Sequence, residues 1–200
     1  MKLLATVFLF TIIITTVSAT TFQEEDWDSK TYRVDDFTEI YLEGGYKVYL
    51  TQGDENKVVV KASDDDVFDY LRVRTWGNEL KIDVEPDHFD FSRIVLYITF
   101  KKLDKLKIEG GVKLKTKGYM DLNDFEMYVA GGAKIELDMK ARYVDIVGEG
   151  GVLFELDGVA KSLDVKISGA GHVDAERLKA KDVSIKIEGV GTGVVFATET

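Results

Sequence analysis

The chain has 200 residues, 26 Lys and Arg against 36 Asp and Glu, a formal net charge of −10, 45% hydrophobic residues and no cysteine. That length suits one globular domain or two small ones, with enough apolar residues to fill a core. No disulfide framework, thiolate zinc site, Cys nucleophile or lipid-modified N-terminal Cys is possible, and the acidic balance opposes nucleic acid or an anionic membrane as partner, since their phosphates demand a net basic surface.

Residues 1–19 read as a secretory signal peptide. Lys2 supplies a positive start, Leu3 to Val17 is uncharged and largely apolar, and Val17-Ser18-Ala19 fits the small-residue cleavage rule. Fifteen residues at about 1.5 Å each span roughly 22 Å, short of the ~30 Å hydrocarbon core. The expected product is a single domain over 20–200, extracytoplasmic (periplasmic, outer-surface or secreted), with no transmembrane anchor after cleavage.

Two-residue alternation dominates after position 30. Val58 to Ala62, Leu71 to Arg74, Leu80 to Val84 and Ile94 to Ile98 are strand-like runs. Gln52 to Asn56 and Trp76-Gly77-Asn78-Glu79 are turn signals between them. Ser63 and Asp66 have capping-box spacing, which predicts one helical turn over 63–70.

From residue 101 an internal repeat takes over. Strands ending in glycine begin at Leu106, Met127, Ile146, Val165 and Ile185, so the steps are 21, 19, 19 and 20 residues. The glycines are Gly110-Gly111, Gly131-Gly132, Gly150-Gly151, Gly169 with Gly171, and Gly189 with Gly191; Gly44-Gly45 is an earlier copy, standing apart from the rest. A period near twenty without intervening helices is what a β-solenoid needs, with neighbouring coils about 4.8 Å apart. The glycines are its structural corners, where stacked bends leave no space for a Cβ. Leu106, Met127, Ile146, Val165 and Ile185 then point inward, as do Ile108, Val129, Ile167 and Ile187; Val194 and Phe196 are expected to return inward after the last corner. The expected fold is all-β: a right-handed, single-stranded parallel β-helix over 101–200, preceded by a β-rich N-terminal lead-in over 31–100, the hand following the crossover rule.

Chemistry-bearing motifs are few. Gly148-Glu149-Gly150-Gly151 and Gly189 to Gly193 are followed by strand residues rather than a helix N-terminus, so they do not form a phosphate loop. His88 and His172 are the only histidines, and no G-x-S-x-G elbow exists, since Ser168 lies two after Lys166 rather than two after a glycine. Asp64-Asp65-Asp66 and the group Asp83, Glu85, Asp87 and Asp90 would suit calcium, but the D-x-D-x-D-G loop is missing and solvated acidic turns account for them. No catalytic residue, cofactor or metal site is therefore assigned. Trp27, Trp76, Tyr41, Tyr46, Tyr49, Tyr97 and Tyr128 are the aromatics to watch for carbohydrate stacking.

The order Arg33-Val34-x-x-Phe37, Ile40-Tyr41-Leu42-Glu43-Gly44-Gly45 and Val48-Tyr49-Leu50-Thr51-Gln52-Gly53-Asp54 resembles the putative auto-transporter adhesin, head GIN domain family. The likeness continues through Asn78 to Ile82, Ile94 to Ile98 and the glycine pairs, about Tyr32 to Phe196. It implies a β-helix similar to pectin-lyase-like folds, in secreted or envelope proteins, with a role in cell adhesion and no established catalytic residues. The expected function is a non-catalytic envelope or secreted binding module, adhesive or scaffolding, its outer column Lys107, Tyr128, Lys166 and Lys186 meeting a glycan or protein partner. The competing class is a carbohydrate-active lyase or hydrolase, which needs carboxylates converging about 5–10 Å apart with a perturbed pKa.

Overall fold

The computed structural model describes residues 27–85 and 94–197. The expected signal segment, His88, Asp87 and Asp90 lie outside the described residues. The elements are β1 (Asp28–Arg33), β2 (Glu39–Gln52), β3 (Lys57–Ala62), α1 (Val67–Tyr70), β4 (Leu71–Trp76), β5 (Glu79–Val84), β6 (Ile94–Phe100), β7 (Lys105–Thr116), β8 (Met120–Asp121) and β9 (Asp124–Ala197). The last is extended backbone that bends at its glycines without breaking. Together they form an all-β, mixed sheet that does not close.

β2 organises the first half. It bends at Gly44, so its first part runs parallel to β5 (Ile40 beside Leu80) while its second runs parallel to β6 (Leu50 beside Ile98). Antiparallel strands complete each side: β4 on β5, and β3 on β6 followed by β1 on β3. On its other edge β2 lies parallel to β7 in unbroken register, from Glu39 beside Lys105 to Leu50 beside Thr116. β7 lies parallel to β9 in the same way, from Lys105 beside Glu126 to Lys115 beside Glu136. The Gly44-Gly45 copy, which stands apart in sequence, is therefore laid directly on the repeat as one of its layers. β5 and β6, which lie between it and β7 in sequence, pair with the opposite edge of β2 and extend the stack above it.

The corners stack glycine on carbonyl. Gly44, Gly110, Gly131, Gly150, Gly169 and Gly189 all have φ between 105° and 140°. A Cβ built on Gly110, Gly131, Gly150, Gly169 or Gly189 would strike the carbonyl oxygen of the preceding corner glycine, at 2.5 Å for Gly150 against Gly131. A second corner repeats the arrangement, with Gly158 against the Met139 carbonyl. The second glycine of the doublet is under less constraint: Gly111, Gly132 and Gly151 face open space, whereas Gly191 sits against the Gly171 carbonyl.

Inside the stack, Leu106, Met127, Ile146 and Val165 form one buried row and Ile108, Val129 and Ile167 the next. The last layer departs from expectation. Ile185 and Ile187 are only partly buried, and Val194 and Phe196 are 45% and 49% exposed, because the preceding layer covers this one from one side only. The helical turn is present as α1, but Asp66 makes no side-chain cap bond; the Asp64 carboxylate instead accepts the Asp66 N–H at 3.2 Å. Outside, polar pairs 18–21 residues apart link layers: Lys115 with Glu136 at 2.7 Å, Lys134 with Glu155 at 3.0 Å and Arg142 with Asp124 at 2.6 Å. Exposed pairs of this kind add little stability, and they mark the register that the glycines set.

Gly150→Val places a β-branched residue at positive φ against backbone that cannot yield, and it is expected to cost about 3 kcal/mol or more. Gly151→Ala, one residue on in open space, should stay within about 0.5 kcal/mol of the parent. Urea unfolding of the two variants checks the pair; equal stabilities would remove the corner constraint.

Candidate binding faces

Each layer has two broad outer faces, one on either side of the glycine corner. On the first, outward residues come from β4, β5, the start of β2 and β7, and β9. Tyr41 stands between two ammonium groups, with Lys81 Nζ 4.6 Å and Lys107 Nζ 4.4 Å from its ring centre. Its hydroxyl donates to Glu109 at 2.8 Å. Burial and that carboxylate push the phenol well above its ordinary pKa, and the Lys107 and Tyr41 hydrogen bonds hold Glu109 below the usual glutamate value.

This face is nearly self-neutralised. Arg74 pairs with Asp83 at 2.6 Å, Lys81 with Glu43 at 2.8 Å and Lys107 with Glu109 at 2.7 Å. The column expected to meet a partner lies here. Lys107 and Tyr128 line an open hollow of about 600 Å³ together with Glu109, Glu126 and Asp145. Lys166 and Lys186 line a smaller one of about 130 Å³ with Glu149 and Glu188. The four therefore share a face but not a pocket. Each lysine also has an acid two residues away, Asp164 at 3.4 Å from Lys166 and Glu188 at 2.5 Å from Lys186, while the Tyr128 hydroxyl donates to Glu149 at 2.9 Å.

The second face has a different composition. Across β1, β3, β6, the end of β2 and the end of β7, the register turns outward Ser29, Thr31, Arg33; Lys57, Val59, Lys61; Val95, Tyr97, Thr99; Lys47, Tyr49, Thr51; and Lys113 and Lys115, with Lys117 following. These positions hold seven cations and no carboxylate. At the centre the Tyr49 and Tyr97 rings stack, centres 5.2 Å apart and planes 20° apart. Lys117 lies over both at 4.5 and 4.6 Å, Lys47 over Tyr49 at 5.3 Å and Lys61 over Tyr97 at 5.8 Å. Among the described residues the acids ion-paired with these cations are at the margins, Glu55 beside Lys57 at 3.5 Å and Glu136 beside Lys115. Tyr49 and Tyr97 are among the aromatics singled out from sequence; the lysines around them are not. Their signal is the even spacing, four residues for Lys57/Lys61 and two for Lys113/Lys115/Lys117, without an acid between.

The remaining candidates do not come together in a site. Asp64, Asp65 and Asp66 bring carboxylate oxygens within 4.8 Å of one another, all exposed. His172 Nδ1 lies 2.7 Å from the Thr192 hydroxyl. Tyr46 is buried, its hydroxyl donating to the Glu43 carbonyl at 2.7 Å, and Trp76 is 90% exposed on the β4–β5 hairpin. Glu109, Asp124, Glu136 and Glu188 are all shifted downward by lysine or arginine partners. A general acid needs the opposite shift. Among the described residues, no helix is long and apolar enough to cross a membrane.

Residues 36–200 match the family described as "Putative auto-transporter adhesin, head GIN domain". The chain belongs to that family. No curated protein matches it. Among solved structures of the same fold, one from Parabacteroides distasonis named a putative lipid binding protein superposes with a TM-score of 0.67 at 19% identity, covering 88% of this chain and 84% of that one. A putative adhesin from Parabacteroides merdae gives 0.61 at 18%, covering 84% and 80%. One from Bacteroides fragilis gives 0.52 at 15%, covering 84% and 96%. At these identities the likeness is one of fold.

Within this family member, the ion pairs between layers give a pH signature. Glu136 accepts from Lys115 and Lys134, which lowers its pKa in the folded state. A lowered carboxylate contributes stability in full above its unfolded pKa and loses it as pH falls through the folded one. Glu136→Gln should therefore be less stable than the parent at pH 7, the gap closing as the solution is acidified below the ordinary glutamate range. Urea midpoints across that range measure it, and a gap that widens in acid would contradict the pairing.

Proposed function

We propose that this protein is a non-catalytic binding module of the cell envelope or secreted space, adhesive or scaffolding, whose layers wind as a right-handed parallel β-helix and whose flat outer faces meet a glycan or protein partner. The observation that carries this reading is the shape and chemistry of those faces: broad, open, built on rigid strands, and furnished with aromatic–lysine pairs rather than with paired acids in a cleft. Family membership supports the adhesive role and an extracytoplasmic setting. Two of the neighbours in fold are named putative adhesins.

A structural role in a larger assembly is the second reading. It is favoured by the last layer, where Val190, Val194, Val195 and Phe196 are exposed beside an open hollow of about 740 Å³ lined by Val183, Ile185 and Ile187.

A glycan-array screen of the purified protein, followed by a hydrolysis assay on every hit, separates the possibilities. Binding without release of product is the expected result. Turnover would overturn the non-catalytic assignment, and no binding at all would leave the scaffold.

A further inference from the structure

The two faces differ in how their charge is used. On the Tyr41 face, lysines are matched by glutamates and aspartates on the same or the next strand. On the Tyr49 face, five strands turn outward only cations, hydroxyls, tyrosines and valines, on a chain whose net charge is −10. The arrangement gathers seven cations at neighbouring outward positions of a body whose net charge is negative, a source of local positive potential.

We propose that this face, centred on Tyr49 and Tyr97 with Lys47, Lys61 and Lys117 around them, binds an acidic polysaccharide. The inference rests on the binding-module reading and names the partner's chemistry. Three features select that chemistry. The two rings, stacked on each other, form a rigid post that holds the lysines in place over them, and these ammonium groups would meet carboxylates or sulfates spaced along the polymer. Among these outward positions only Val59, half-buried, and Val95, buried, are aliphatic and the rest are polar or aromatic, whereas the core of a protein interface is apolar and depleted in lysine. The size of the patch sets the third condition. An extended polymer is thin enough to lie on this face alone, with the acidic remainder of the protein screened beyond a Debye length of about 8 Å. A bilayer is a wide negative plane that brings much more of that acidic surface near it, and among the described residues the face offers no protruding apolar side chain to insert. Below β7 the same face turns acidic at Glu136 and Glu155, which confines the polymer to the upper strands.

The test measures binding of the full chain to alginate, a uronate polymer, and to its methyl ester, which keeps the sugar backbone and removes the charge. Anionic phosphatidylglycerol vesicles form a third arm. Alginate should bind, the ester should bind at least about tenfold more weakly, and the affinity should fall with salt at a log–log slope of about 0.7 for each ammonium engaged. Lys61→Glu combined with Lys117→Glu should weaken alginate binding at least about tenfold. Lys166→Glu combined with Lys186→Glu, on the other face, should leave it unchanged. Lys47→Gln with Lys113→Gln, checked with the others by thermal unfolding, keeps the test open should a charge reversal disturb folding. Equal binding of the ester, or loss of binding only in the Lys166/Lys186 variant, would overturn this inference while leaving the adhesive reading intact. Vesicle binding without alginate binding, or no binding in any arm, would also overturn it; the glycan array decides separately whether the adhesive reading falls as well.

Discussion

The architecture depends on a single close contact, repeated. Along the corner that runs from Gly44 to Gly189 the carbonyl oxygen of one glycine occupies the space where the next corner residue would carry its Cβ, and the same φ beyond +100° recurs. Any larger residue would have to push the layers apart, and layers joined by backbone hydrogen bonds cannot separate locally without breaking the ladder on both sides. The glycines thereby fix the vertical register. Once the register is fixed, inward aliphatic residues fall on one another in rows, and outward residues fall into columns whose chemistry is set by the sequence alone. Core, ion pairs and faces all inherit their positions from the corner.

That inheritance connects the fold to binding. A face made from successive layers holds its side chains at strand spacing on backbone that is fully paired, so little conformational entropy remains to be lost when a partner settles on it. The Tyr41 and Tyr49 faces share this rigidity and differ in charge. The first is a mosaic of neutralised pairs. The second gathers cations around a pair of stacked rings, which is the basis for proposing an acidic polymer there. A net charge of −10 hides that division, because a total says nothing about where the charges lie.

Much of the fold is legible in the sequence because its cause is periodic. Strand alternation places β3, β4, β5 and β6 within a few residues, and the spacing of the glycine strands gives the layers. Three things are hidden, each because its cause is not local. The parallel pairing of β2 with β7 spans 66 residues, and the intervening strands disguise the Gly44-Gly45 copy as a separate piece. The exposure of Val194 and Phe196 depends on what lies beyond the last layer, which an alternating pattern does not encode. The lysines of the Tyr49 face come from β2, β3, β7 and the residue after it, so each is an unremarked surface lysine until the register brings them around one pair of rings. The column Lys107, Tyr128, Lys166 and Lys186 was visible as a column; the acids that neutralise its lysines sit two residues away and belong to the same strands.

The stacking itself is open to a molecular ruler, and the absence of native cysteine makes the labels clean. Lys47, Lys113 and Lys134 are successive register partners on β2, β7 and β9. With spin labels introduced in pairs at cysteines in these positions, backbone separations of about 5 Å for 47/113 and 113/134, and about 10 Å for 47/134, should give strong dipolar broadening in the first two pairs and weaker broadening in the third. A 113/134 pair without broadening, or a 47/134 pair broadened as strongly as its neighbours, would show that the layers do not lie on one another in this order.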